Sequence, residues 1–414
     1  MTRVDVAVIG GGLVGLASAL ELLERGRSVA VVDPGFAQAA ASFGNAGVIS
    51  RGSLFPVAGP GLWPNLWRYL RHADPGLRLR WRALPAALPW LAAFVRSADE
   101  AAWRRAAAAL DPLTAAAFDE HARVAARLGA GPLIARRGYL KLYRTEAAFA
   151  GGALEREILA HHRVRTEVLD EGAIAEAEPA LTRRFARGLL FPESGAVDSP
   201  GALVARYREA VAQRATLVAA RAERLEAGEE VRIGWSGGEL AAGRAVIAAG
   251  AWSQVLARGL GYRLPLAAER GYHRHFRVAR NLTRPVHDTG GAYVLAPMGD
   301  TVRLLTGIEI ARPEDPPNPD QLAAVFPDAA ATITLGEPVE AAPWCGSRPS
   351  TPDGLPVIGR APRHPAVIFA FGHGHIGFST GPITGRIVAD LVEDRPPPVP
   401  IAPYGAERFL ARGG

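Results

Sequence analysis

The stretch VAVIGGGLVGLASALELLERGRSVAVVD, residues 6–33, limits what this chain can fold into more than any other part of it. An apolar run ends in a glycine-rich turn. A helical stripe follows (Leu13, Leu16, Ala17, Leu20 and Leu23), then a second apolar run that ends in an acid, Asp33. The order is strand, turn, helix, strand, the start of a parallel sheet. Gly10, Gly12 and Gly15 stand at the three glycine positions of G-x-G-x-x-G. The first permits the tight turn, the second lets a pyrophosphate approach the backbone, and the third lets the helix pack close to its strand. The pyrophosphate then sits at a helix N-terminus, where unpaired N–H groups and the helix dipole favour an anion. Asp33 is positioned to accept hydrogen bonds from a ribose. The segment predicts a dinucleotide site.

A second glycine-rich segment lies near the other end. RPSTPDGLPVIG and then FGHGHIGFSTGPITGRIVADLV predict a loop that feeds a helix. A nicotinamide enzyme could use residues 6–33 but has no need of a distant glycine-rich helix start; a flavin does. When a flavin is reduced, negative charge builds on its ring, and a helix N-terminus aimed at it supplies preorganised N–H groups. Gly374, His375, Ile376, Gly377, Phe378 and Ser379 form the candidate start. Gly377, Gly381 and Gly385 recur every fourth residue, which would let that helix face approach something flat.

Composition excludes several alternatives. An apolar share of 49% with 21% charged residues is that of a globular chain. The single cysteine, Cys345, rules out an intramolecular disulfide and makes a reducing cytoplasm the expected compartment. The first strand begins at once, with no visible secretion signal, and no uncharged apolar run reaches the roughly 18 residues of a membrane span. The net charge is +6, almost all of it from scattered arginines, with Lys141 the one lysine. Without a basic cluster or stacking motif, a nucleic-acid partner is not expected; the charge suits anionic substrates and cofactors.

The order of elements is interleaved. Residues 54–128 predict helices rich in alanine, arginine and tryptophan, and residues 132–145 alternate like a strand. A helix should follow Asp198, with Ser199 as N-cap and Pro200 in the first turn. A meander then leads into an apolar strand and turn at residues 246–253, longer strands occupy 263–311, and ARPEDPPNPD closes them as a surface loop. Trp63, Trp67, Trp81, Trp90 and Trp103 crowd into one arginine-bearing stretch. Its expected role is packing on the protein's own core, with peripheral contact to the inner face of a membrane as the alternative.

In this order, ASFGNAGVIS, VDSPGAL, VIAAGAWS, ERGYH, WCGSRPSTPDGLPVIG and AFGHGHIGFSTGP resemble the FAD-dependent D-amino-acid oxidase superfamily. Within it the chain is most similar to the D-amino-acid dehydrogenase-like branch, which includes D-hydroxyproline dehydrogenase-like and glyphosate oxidoreductase-like proteins. The resemblance implies a fold of mixed α/β and α+β type, with a Rossmann-type FAD-binding domain interleaved with a substrate domain on a mostly antiparallel sheet. The expected division gives residues 1–85, 172–262 and 344–414 to the FAD-binding domain, and 86–171 and 263–343 to the substrate domain.

The resemblance also assigns residues. Leu13, Val14 and Pro34 join the fingerprint glycines and Asp33 around the nucleotide. Ser42, Asn45, Ala46, Gly47 and Val48 match a loop that wraps the flavin. Val218 matches a backbone contact on the adenine side, and Ala249, Gly250 and Trp252 a strand-turn that reaches the cofactor. Tyr272 and His273 could reach the substrate, although adjacent strand residues point to opposite faces, so at most one should line the site. His375 and its neighbour His373 lack a carboxylate or cysteine at ligand spacing, so no metal site is expected. Cys345 lies one residue from the position at which some relatives tether FAD, so the flavin should be held non-covalently. Arg348, in an Arg-Pro step, matches the arginine that binds the substrate carboxylate.

The expected activity is oxidation of a D-amino acid, or a related amino acid, to an imine by hydride transfer to FAD, with oxygen or a quinone as the final acceptor. The alternatives are a glycine- or sarcosine-type oxidase and a flavoprotein subunit with little activity of its own.

Overall fold

A computed structural model describes residues 3–35, 40–60 and 76–410. The first strand, Arg3–Ile9, is the centre of an eight-stranded sheet. On one side it pairs in parallel with Val29–Val32, and that strand with Thr216–Val218; on the other it pairs in parallel with Gly238–Ile247, and that strand with His364–Phe371. The strand interiors are apolar without alternation because both faces are covered. Val6 and Val8 pack with Leu16, Leu203 and Ile387 on one side, whereas Ala7 and Ile9 pack with Ile233, Leu256 and Phe369 on the other.

The opening helix, Leu13–Glu24, lies against the C-terminal helix, Gly377–Val392. Small residues set that approach: a Cβ on Gly385 would lie 2.6 Å from the Ala17 backbone, and one on Gly381 would lie 2.9 Å from Leu13 Cγ. Gly381 and Gly385 of the four-residue repeat therefore serve helix–helix packing and not, as the spacing had suggested, close approach to a flat ligand, whereas Gly377 lines the cavity described below. Helix Pro200–Ala212 packs on the same layer, capped as expected by the Ser199 hydroxyl, which accepts from Ala202 N at 3.3 Å.

The second, eleven-stranded sheet is mostly antiparallel. Its long strand, Ala267–Val278, pairs with Trp344–Ser350 along one edge and with Thr301–Leu305 and Ile308–Ile310 along the other. Leu77–Leu79, Arg187–Phe191 and Trp344–Ser350 all belong to this sheet. Its pairings thus cross the segment limits drawn from the sequence at 85, 171 and 343, because a strand joins the sheet whose edge it meets and not the one nearest in sequence.

Trp63 and Trp67 lie outside the described residues. Of the other tryptophans in that stretch, Trp90 is buried and donates to Ser350 O at 2.9 Å, and Trp103 donates to Pro56 O at 3.2 Å. Trp81 is 60% exposed. Among the described residues no helix is long and apolar enough to cross a membrane.

Candidate active site

The C-terminal ends of the parallel strands open onto a cavity of about 760 Å³, where Ile9, Val32, Ala248 and Phe371 meet residues of the second sheet. Parallel sheets bind ligands at this edge because their helix N-termini collect there.

Backbone lines one end. Gly10 has φ +118°, and a Cβ there would collide with the Ala248 carbonyl; a Cβ on Gly15 would collide with the Gly10 carbonyl. Gly12 is different: the nearest atom to its Cβ position, Ser42 Oγ, is 3.9 Å away. Gly12 caps the opening helix without a side-chain hydrogen bond, and no acid stands in the first turn. Leu13 N donates to Ser42 Oγ at 3.3 Å, and the open cradle over Gly12 at this helix start fits a pyrophosphate. Asp33 borders the cavity; its carboxylate accepts from Gly11 N at 2.7 Å and Gly35 N at 2.9 Å. Leu13, Val14, Pro34, Ser42, Ala249, Gly250 and Trp252 also line this end.

Gly15, Gly47, Val218 and Ile376, all assigned to the cofactor, do not line the cavity, and the first three shape it. Gly15 seats the helix. Gly47 has φ +69° and a Cβ there would strike the Val197 carbonyl. Val218 accepts from Asp33 N at 3.0 Å and so fixes the end of the second strand, while Arg221, Ala222 and Glu223, just beyond it, form the wall. The sequence reading missed those three because nothing in a polar turn marks it as a nucleotide wall. Trp252 donates to Glu314 at 3.0 Å, which ties the proline-rich loop to the cavity mouth.

Asn45, Ala46 and Val48 line the middle of the cavity, facing Gly374, His375, Gly377, Phe378 and Ser379. Ser379 Oγ donates to Val48 O at 3.0 Å and accepts from Ser50 N at 3.1 Å, joining this loop to the start of the C-terminal helix. Ile376 is buried behind the turn, in the core with Leu54 and Phe191. The C-terminal helix also begins without a side-chain cap or an acid in its first turn.

The other end is built of side chains from the second sheet, and strand parity sorts them. In the Ala267–Val278 and Trp344–Ser350 pair, Gly271 opposes Gly346, Glu269 opposes Arg348 and His273 opposes Trp344; all rise from the cavity face. Tyr272 and Cys345, one residue out of phase, rise from the other. Tyr272 is buried there, donating to Glu309 at 2.6 Å and accepting from Asn318 N at 2.9 Å. Cys345 Sγ accepts from Arg270 at 3.3 and 3.4 Å. His273 is on the cavity face, yet its ring stacks on Trp344 at 4.7 Å and its Nδ1 meets Gly44 O at 3.1 Å. Neither Tyr272 nor His273 lines the cavity, so the expectation of a substrate contact is withdrawn for both. Trp344, which the sequence reading passed over, does line it, lying so close over Gly44 and Gly346 that a Cβ on either would collide with the indole.

Arg348 lines the cavity as expected. Its guanidinium lies over Gly271, where a Cβ would be 2.5 Å from Nη2, and among the described residues its one hydrogen bond is a long one, 3.5 Å to Gly307 O. Asp353, the turn acid that could have held it, is paired with Arg408 at 2.8 Å instead. Burial works against the arginine's charge, and the neighbouring Glu269 carboxylate works for it. His375 projects into the cavity, where surrounding protein, with Arg348 and Lys141, lowers its pKa to about 4. His373 meets Thr384 at 3.1 Å, and burial holds its pKa at about 3.

His273, His275 and Glu340 come within metal-ligand distance of one another. Both nitrogens of His275 are engaged: Nδ1 binds Glu340 and Nε2 accepts from Arg303 at 2.9 Å. A fixed guanidinium at that distance disfavours a cation. Arg303 also donates to Asn45 O, so the cluster ties the loop around Asn45 to the second sheet.

The family described as DAO, FAD dependent oxidoreductase, matches residues 5–391. A D-amino-acid oxidase of Bradyrhizobium diazoefficiens is 36% identical, with 98% of this chain and 99% of that protein covered. A D-amino acid dehydrogenase of Sinorhizobium medicae is 30% identical over 94% of this chain and 96% of that protein. Among solved structures, glycine oxidase from Geobacillus kaustophilus superposes with a TM-score of 0.79 at 24% identity, covering 99% of this chain and all of that one. The chain belongs to the family of FAD-dependent oxidoreductases, and the cavity that joins its two sheets is where such a cofactor and its substrate would meet.

Proposed function

We propose that the chain oxidises a D-amino acid, or a related amino acid with a secondary amine, to the imine, which water then hydrolyses. The observation that carries this reading is Arg348: a guanidinium on the cavity wall with no carboxylate salt bridge among the described residues and one long bond to a carbonyl. Its planar fork can take both oxygens of a substrate carboxylate in parallel charge-assisted hydrogen bonds, fixing orientation as well as adding energy. The relatives named D-amino-acid oxidase and D-amino acid dehydrogenase support the substrate class.

Residues 10–15, Asp33 and the turn at 221–223 would hold the nucleotide, and the loop at 42–48 with the helix start at 374–379 would surround the ring. A flavin held there would supply the acceptor for the hydride lost by the substrate carbon. The chain's own task is placement. Arg348 aims the α-carbon, while Trp344 and the apolar wall of Val294 and Leu305 keep water away. His373 and His375 are neutral at pH 7, and removing a hydride from a neutral amine needs no dedicated base. Cys345 faces away from the cavity, which favours non-covalent FAD. The final acceptor is oxygen or a quinone, and a quinone would bring the protein to a membrane surface.

A panel of D- and L-amino acids and N-alkyl glycines, run with a dye acceptor and then with oxygen, tests the reading. A D-amino acid should bleach the flavin fastest. Bleaching by none of the panel would leave a flavoprotein of another activity.

A further inference from the structure

The strand pair that carries Arg348 also carries a carboxylate with no assigned task. Glu269 is the register partner of Arg348, so both side chains rise from the cavity face. It is 2% exposed. Beside it are Ser350, Thr351, Gly374 and His375, around a chamber of about 10 Å³; Gly374 and His375 line the main cavity as well, so the two spaces meet at that turn. Neither Glu269 Oε2 nor the Ser350 hydroxyl has a partner in hydrogen-bond geometry.

Few charges face Glu269. Arg348 comes from the paired strand and His375, neutral at pH 7, from the turn before the C-terminal helix. On the other edge its register neighbour is Ile310; Glu309 pairs with Arg270 on the opposite face, where Arg80 and Tyr272 hold it. Helix Leu84–Arg96 contributes Phe94 to the chamber and Trp90, bonded to Ser350 O. Arg348 is the one cation facing Glu269 among the described residues. Burial raises the Glu269 pKa, and the adjacent Ser350 hydroxyl and Arg348 cation work against that rise.

We propose that Glu269 is the resident counter-charge of Arg348, and that an amino-acid carboxylate takes over that role, so that each substrate binds with uptake of one proton by Glu269. The proposal rests on the reading of Arg348 as the carboxylate site. An arginine does not give up its proton in a protein, and a half-buried cation without a salt bridge is costly, so in the free enzyme the Glu269 charge balances it. Substrate brings a second carboxylate to the same guanidinium. A second carboxylate at the same cation disfavours the charge of the first, and the proton goes to the one that is buried and poorly hydrogen-bonded. The balance is ionised Glu269 plus substrate carboxylate plus H⁺ giving neutral Glu269 and the Arg348–substrate pair. No electrons move, and the proton comes from solvent. Glu269 is a positioning residue: charged, it restrains the guanidinium; neutral, it releases it to the substrate.

The test uses the flavin-loaded enzyme and benzoate, a carboxylate that cannot be oxidised, with binding read from the flavin spectrum. In weakly buffered solution with a pH indicator, the wild-type protein should take up close to one proton per site. Between about pH 6 and 9 its Kd should rise with pH by up to about tenfold per unit, the slope set by one linked proton. Glu269→Gln should bind benzoate with no proton uptake and a flat pH profile. Wild-type binding without uptake, or undiminished uptake in Glu269→Gln, would overturn the proposal; if the variant does not hold flavin, the wild-type proton count decides alone. Unchanged benzoate affinity in Arg348→Lys breaks the carboxylate reading itself. Arg348-dependent binding without a proton breaks only the role given to Glu269.

Discussion

The two ends of the cavity are made differently. The end beside the first glycine turn is mostly backbone, with glycines and helix N-termini contributed by short stretches around residues 10, 45 and 375. The end beside Arg348 is mostly side chain, set by the register between Ala267–Val278 and Trp344–Ser350. A backbone site tolerates almost no added atom but asks little of side-chain identity. A side-chain site tolerates changes that leave its register intact and fails when one functional group is replaced.

Gly15→Ala should have the largest effect. Its Cβ would strike the Gly10 carbonyl, and no side chain can move to relieve a clash between backbones. We expect a loss on the order of 5 kcal/mol, seen as colourless or insoluble protein. A yellow, stable variant would mean that the helix can shift and that the backbone end is softer than its geometry implies.

Arg348→Lys is the matching change at the other end. FAD should remain bound, while KM rises and kcat falls, together costing about 2–5 kcal/mol in transition-state binding, because an ammonium cannot present the planar fork. Steady-state kinetics on the best substrate would show it; near-normal values would remove the main reason for expecting a carboxylate-bearing substrate.

Asp33→Ala should weaken FAD binding by about 1.5–3 kcal/mol through loss of a charge-assisted hydrogen bond to ribose, with little effect on the turnover of flavin-saturated protein. Fluorescence titration of the apoprotein measures this. Equal affinity would show that Asp33 serves only the Gly11 and Gly35 amides.

Acid should weaken both ends. Burial lowers the pKa of His121, beside Phe378, to about 4 and that of His373 to about 3. Both lie below the unfolded value near 6.5, so from there down to the folded pKa the unfolded state binds more protons and stability falls as pH falls. Each contributes a slope of up to about 1.4 kcal/mol per pH unit. Denaturant titrations between about pH 7 and 5 should show the decline, and His121→Gln should make it shallower. A flat profile would mean that these rings reach water before the protein unfolds.

The smallest effect is expected from Tyr272→Phe, on the face away from the cavity. Loss of the hydroxyl between Glu309 and Asn318 should cost about 1 kcal/mol of stability and leave kcat/KM within about twofold. A collapse of activity at normal stability would restore Tyr272 to the site and overturn the parity assignment.

Legibility in the sequence followed the same division. Residues 6–33 fold locally, so the strand, turn, helix and acid could be read off with the role of each glycine. Strand parity also warned that Tyr272 and His273 could not both face the site. It could not show that the His273 ring would be taken up by Trp344, because that depends on a strand some seventy residues away. The glycine repeat at 377, 381 and 385 was visible as spacing, but its partner was not: Leu13 and Ala17 of the opening helix fill the face at Gly381 and Gly385, and Gly377 alone of the three lines the cavity.

By itself the sequence determined the βαβ start, the helix caps, the candidate arginine and the family resemblance, since each rests on residues close together in the chain or on motifs in a fixed order. Tertiary structure decided which sheet each strand joined, which side of the long strand met the cavity, and that Arg348 would stand opposite a buried glutamate. Those outcomes depend on pairing between distant segments. A one-residue change of register would exchange the two faces, and no local pattern in this chain records that choice.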